Sequence, residues 1–283
     1  MLIISENWKM RSKHNWYSKL LRKYYKIRVN LTKPRCPVTD SAIREKAEKE
    51  TQLVIQIPFG GLGDHLVYSS LPELLLEQKK IKTFISDKSI FRSRAIRDFV
   101  WKPNPYIEFT GRKGWFKYRP LNNSFLTIDE YLQNLFGLQG DGRPKVYYKP
   151  DTVQQLKGKT IVDPSFGPSG RANGYYETDF HRRFIDFLEK NAGNFILLVG
   201  KHRQAENPLE ARIRRLLKPA CYSIDSIEGL ADALFSAERR YLMYSGGASL
   251  SAAMRLPSTV LCNRKAVPNF QYKVNNYIDL MQH

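Results

Sequence analysis

Cysteine is scarce in this chain of 283 residues: Cys36, Cys221 and Cys262 stand far apart and are odd in number. They form no CxxC pair and no Cys/His zinc spacing, which excludes a disulfide scaffold and a zinc module and points to a reducing compartment. Long apolar runs are lacking too. The longest, Phe195 to Val199, falls far short of a membrane span. The opening MLIISENWKM has neither the charged entry nor the apolar stretch of a signal peptide. A cytoplasmic protein is the expectation. No repeat of solenoid period and no low-complexity tract occurs. Negative charge is also short: 27 acids against 46 Lys and Arg leave a net charge of +19. That excess speaks for an anionic partner and says nothing about fold.

The basic charge is unevenly placed. Residues 1–35 hold ten Lys and Arg against a single acid, Glu6. Within them Trp16, Leu20, Tyr24, Ile27 and Leu31 recur at helical spacing, with Lys19, Arg22, Lys23 and Lys26 on other faces. A basic amphipathic helix of this kind suits an anionic membrane surface, through residues 8–31; a terminal helix packed on the body with a solvated basic face fits the same pattern. Pro34, Pro37 and a charged run to Glu50 read as a linker. The expected division is therefore an N-terminal extension over 1–50, a first α/β half over 51–148 and a second over 149–283.

Two glycine turns carry the chemistry. Gln52 to Leu75, QLVIQIPFGGLGDHLVYSSLPELL, reads as a buried strand, a tight turn and a helix over His65–Gln78 that Pro72 kinks or restarts. Arg240 to Asn263 reads as a strand, a second turn, a small-residue helix start and another strand. Gly60, Gly61 and Gly63 let the backbone turn sharply and approach a ligand. Asp64 then sits at the carboxyl end of the strand, the crevice of an open α/β sheet. Its carboxylate can take a proton from an attacking hydroxyl, as can the neighbouring His65; Asp64 can equally be a helix cap. The spacing is neither GxGxxG nor GxxxxGK(S/T), which argues against dinucleotide binding and a P-loop.

At the second turn, Ser245, Gly246, Gly247 and Ser249 offer hydroxyls and free N–H groups at a helix start, a setting that suits a diphosphate. A glycine turn that serves tight packing reads the same way. Arg171 follows strand Lys159–Asp163, and Lys201 and His202 follow strand Asn194–Val199, so all three are expected on one edge of the second sheet, facing the crevice. Strands and helices alternate, as in parallel α/β sheets. Further helices are expected at Thr127–Phe136, capped by Thr127, at Phe180–Asn191, at Leu209–Leu217 and at Ser226–Ala237, capped by Ser226.

With both turns in view, residues 52–263 resemble the heptosyltransferase family of glycosyltransferases, family 9, whose fold is GT-B: two Rossmann-like domains facing a central cleft. The family's G-D turn and T-L-P-like step match Gly63-Asp64 and Ser70-Leu71-Pro72, which makes Asp64 the counterpart of its catalytic aspartate. Its D-(S/T)-G-x-x-H-x-x-A-A stretch matches Tyr244 to Ala253, with Tyr244 in place of the aspartate and Ser249 in place of the histidine. Its V-G-x-x-x-E segment matches the strand ending at Gly200, with Glu206 or His202 near the ribose-contacting acid. The family's lysine is missing from residues 169–176, where Arg171 stands as a substitute.

The resemblance implies an inverting glycosyltransferase without a metal or other cofactor. Asp64, or His65 beside it, would be the base. The donor, an ADP-, GDP-, UDP- or CMP-linked sugar, would lie against Gly61, Gly63, Arg171, Lys201, His202, Glu206, Ser245, Gly246, Gly247 and Ser249. The acceptor would be an anionic glycan or glycolipid of the lipopolysaccharide-core or capsule type, met at the inner face of the inner membrane. Two rivals follow from the same residues: an inactive GT-B scaffold, and a nucleic-acid binder using the net charge and the basic aromatic stretch 110–119. No RRM, KH, helix-turn-helix or zinc-finger pattern supports the latter, and no nucleic-acid partner is expected.

Overall fold

The computed structural model describes residues 45, 49–114, 127–167, 170, 174–200, 207–263 and 268–282. The expected amphipathic helix of residues 8–31, residues 115–119 of the basic aromatic stretch, Arg171, Lys201, His202 and Glu206 lie outside these residues.

The first half is a three-stranded parallel sheet in the order β1-β2-β3, from Gln52–Ile55, Lys82–Ser86 and Ile107–Thr110. Leu53 of β1 pairs with Thr83 and Ile85 of β2 with Phe109. After β1 come two short helices rather than one long one, α1 (Leu62–Leu66) and α2 (Leu71–Lys79). Pro72 explains the break. It has no N–H to give to an interior turn, so it sits in the first turn of a new helix. Helix α3 (Arg94–Val100) follows β2, and α4 (Ile128–Leu135) follows β3. Thr127 caps α4 as expected: its hydroxyl accepts from Glu130 N at 3.1 Å, and the Glu130 carboxylate accepts from Thr127 N at 2.9 Å.

The second half is a six-stranded parallel sheet. Its strands are β4 (Thr160–Asp163), β5 (Phe195–Gly200), β6 (Ala220–Ile224), β7 (Arg239–Met243), β8 (Thr259–Cys262) and β9 (Asn276–Asp279). They lie in the order β6-β5-β4-β7-β8-β9. This is the doubly wound Rossmann order, and it reverses direction between β4 and β7, where such sheets bind ligands. Val162 of β4 pairs with Leu197 on one side and Tyr241 on the other. The helices are α5 (Thr178–Asn191), α6 (Pro208–Leu217), α7 (Ile227–Ser236), capped by Ser226, and α8 (Gly246–Ala253).

Burial follows the strand period of two. Val162, Leu197, Tyr241 and Met243 face one side of the second sheet with Phe180, Phe184 and Leu188 of α5. Ile161, Leu198 and Leu242 face the other. There they join Leu234 of α7, Leu250 of α8 and the whole core of the first half, including Leu53, Ile55, Leu66, Leu71 and Ile85. One hydrophobic core thus runs from the first sheet to the near face of the second. The chain crosses between the halves over α7: Tyr148 donates its hydroxyl to Asp232 at 2.9 Å, and Val153 N donates to Ser236 Oγ at 2.7 Å.

Candidate active site

The first glycine turn places Gly61 at the cap of α1 and Asp64 in its first turn. Asp64 Oδ2 accepts the Gly61 N–H at 2.8 Å, which fixes the carboxylate over the turn. The cap reading of Asp64 is therefore realised. Among the described residues Asp64 makes no second hydrogen bond, so the cap uses one oxygen and leaves Oδ1 for other work. Burial pushes its carboxyl above the usual carboxylate range, against the Gly61 N–H and the positive charge of Arg92, which pull it down. A carboxylate so shifted is a stronger base at neutral pH.

His65 takes a different place from the one expected. It is 0% exposed. The Trp101 indole N–H donates to its Nδ1 at 2.9 Å, and its Nε2 lies 2.9 Å from Ile90 O, so the proton sits on Nε2. Its ring stacks on Phe91 at 4.4 Å. Burial pushes its pKa down to about 4. Both nitrogens are engaged inside the first half, and no lone pair remains to take a substrate proton. The one-residue step from Asp64 to His65 turns the side chain by about 100° around the helix axis, which carries it from the mouth into the core.

The second turn places Ser245 at the cap of α8, its hydroxyl accepting from Gly247 N at 3.3 Å. A Cβ at Gly247 would lie 3.0 Å from Oδ2 of Asp163, the last residue of β4. Asp163 is buried and accepts from Ser165 N at 3.0 Å and from the Ser165 hydroxyl. An acid at the switch point was not anticipated from the sequence; its position as the last residue of a strand was the signal available. Tyr244, which stands where the family aspartate would be, is buried. Its hydroxyl accepts from Phe270 N at 3.2 Å, and its ring meets Tyr277 edge-on.

The two turns meet directly. A Cβ at Gly246 would stand 3.1 Å from Leu62 Cβ and 3.3 Å from the Gly63 nitrogen, while one at Gly63 would stand 3.5 Å from Ser249 Oγ. Helices α1 and α8 accordingly pack face to face, with Leu62 and Gly63 against the start of α8. The same closeness buries Ser249, which is 2% exposed under Gly63. Ser249 was expected to touch the donor; in this arrangement Gly63 covers it. Gly61, Gly63, Asp64, Ser245, Gly246 and Gly247 are brought together.

No protein-family model matches the chain, and no curated protein matches it by sequence. Solved structures do match in fold. The iron-containing dodecameric glycosyltransferase TibC from enterotoxigenic E. coli H10407 is 14% identical with a TM-score of 0.54, over 78% of this chain and 61% of TibC. The chain thus spans about three-fifths of TibC's length. The family 9 glycosyl transferase from Veillonella parvula DSM 2008 is 11% identical with a TM-score of 0.51, over 81% of this chain and 85% of that one. The E. coli heptosyltransferase WaaC, solved with ADP, is 13% identical with a TM-score of 0.51, over 82% and 95%. Among the described residues of this chain, no three His, Cys, Asp or Glu side chains gather as a metal site. At these identities the likeness is one of architecture: two parallel α/β sheets arranged as in the family 9 glycosyltransferases.

Proposed function

We propose that the chain is an inverting glycosyltransferase that uses no metal and moves a sugar from a nucleotide-sugar donor to an anionic bacterial glycan of the lipopolysaccharide type. The observation that carries this reading is the meeting of the two turns, Gly63 against Gly246, which brings the helix that bears Asp64 against α8 at the point where the strand order reverses. The fold likeness to WaaC solved with ADP supports a nucleotide-linked donor.

In the proposed step the acceptor O–H gives its proton to Asp64 Oδ1 while its oxygen bonds to the anomeric carbon. The bond from that carbon to the donor phosphate breaks, and the electron pair leaves with the nucleoside diphosphate. Attack from the face opposite the leaving group inverts the centre. Negative charge grows on the diphosphate, where the α8 N–H groups and nearby cations stabilise it. The first half, 51–148, would hold the acceptor and the second, 149–283, the donor. Residues 8–31 would keep the enzyme at the cytoplasmic face of the inner membrane.

The test is a thermal-shift screen with ADP-, GDP-, UDP- and CMP-sugars, followed by a transfer assay with the donor that binds. A ligand at a hundred times its Kd adds about 2.7 kcal/mol of stability. Failure of all four donors to raise the melting temperature defeats the proposal.

A further inference from the structure

Arg92 lies at the mouth of this site, and the sequence reading did not single it out. Its backbone is held firmly. The N–H donates to Gly60 O at 2.9 Å, and the two preceding residues, Ile90 and Phe91, are the partners of the buried His65. Its side chain is exposed and reaches across the crevice. A Cβ at Gly61, in the first turn, would lie 3.2 Å from Nη2, and a Cβ at Gly167, in the loop after β4, would lie 3.8 Å from Nη1. The guanidinium therefore spans from one half to the other, flanked by bare backbone on both sides.

Among the described residues it has no partner. Its neighbours are paired, Arg94 with Asp98 at 3.3 Å and Arg97 with Asp87 at 3.7 Å. Among the described residues the Arg92 side chain makes no ion pair and no hydrogen bond. Asp64 feels its charge without pairing with it. A guanidinium carries five N–H donors in a planar fork and no acceptor, the geometry that grips phosphate and carboxylate in two places.

We propose that Arg92 is an anion-holding residue of the cleft, its fork gripping a phosphoryl or carboxylate group of a ligand lodged between Gly61 and Gly167. The inference deepens the glycosyl-transfer reading and rests on it. The anion has two possible sources, the diphosphate of the donor or an acidic group on the acceptor sugar.

The experiment titrates the full chain and its Arg92→Gln and Arg92→Lys variants with ADP, inorganic pyrophosphate and glucuronate, by calorimetry at low salt. Both variants should melt at the wild-type temperature without probe, because the side chain has no partner to lose among the described residues. Arg92→Gln should weaken one probe class by about tenfold or more, and Arg92→Lys should recover part of that loss, keeping the charge but not the fork. Weakened ADP and pyrophosphate assign the donor diphosphate; weakened glucuronate alone assigns the acceptor. Equal affinities across the three proteins overturn the proposal, as does a wild type that binds no probe. Arg92-dependent probe binding without transfer from any nucleotide sugar keeps the anion site and removes the glycosyltransferase. Transfer with unchanged KM values in Arg92→Gln does the reverse.

Discussion

Trp101 donates its indole N–H to Nδ1 of His65 at 2.9 Å, and this bond, deep in the first half, makes the histidine a structural joint. It ties α1 to the end of α3, and so ties the first glycine turn to the segment that carries Arg92.

Acid should loosen this joint. Burial holds the folded His65 pKa near 4, below its ordinary value of 6.5. The folded value lies under the unfolded one, so the contribution is in place above pH 6.5 and is lost as the pH falls through about 4. Its size is on the order of 3 kcal/mol. Melting temperatures between pH 4 and 7 should fall with acid in the wild type and fall less steeply in His65→Gln. Equal slopes would remove His65 from the account.

Asp64→Asn should lower transfer about a hundredfold or more, the usual share of a general base. It should not lower stability. The amide oxygen can still accept from Gly61 N, and burial disfavours the charged carboxylate, whose stability contribution is already lost above its raised pKa. Donor binding should survive in both Asp64→Asn and Asp64→Ala. Full transfer activity in either variant would exclude Asp64 as the base.

The two facing glycines should respond unequally to alanine. At Gly246 the new methyl would crowd Leu62 Cβ at 3.1 Å and the Gly63 backbone at 3.3 Å, costing about 1–3 kcal/mol. At Gly63 the nearest atom is Ser249 Oγ at 3.5 Å, an ordinary contact, and alanine favours the helix by about 1 kcal/mol. Denaturant midpoints should drop for Gly246→Ala and hold or rise for Gly63→Ala. The opposite order would mean that the halves do not meet at these residues.

Removing residues 1–31 should reduce recovery of the protein with anionic vesicles and leave recovery with neutral vesicles unchanged. Equal cosedimentation of the full and shortened chains with anionic vesicles would reject the membrane role.

Much of the fold was legible because the signals were local. The strands around both glycine turns, the caps at Thr127 and Ser226 and the break at Pro72 all follow from residue chemistry within one or two turns of chain. Helix α3 was missed, its apolar residues Ile96, Phe99 and Val100 lying between charges in a segment without a cap bond. The site was less legible. Asp64 and His65 are adjacent in sequence and look equally reactive, but only the direction of α1 in the fold separates a residue at the mouth from one in the core. Arg92 and Asp163 acquire meaning only through glycines distant in sequence, Gly61, Gly167 and Gly247, whose missing side chains make room for them.

The unbroken hydrophobic core has a consequence for how the molecule can be cut or melted. Leu66, Leu71 and Ile85 on one side and Leu234, Leu242 and Leu250 on the other share one cluster. Severing the chain at the crossing would leave each fragment with a greasy wall turned to water. Heat should accordingly undo both sheets in a single calorimetric peak, and neither fragment expressed alone should stay in solution.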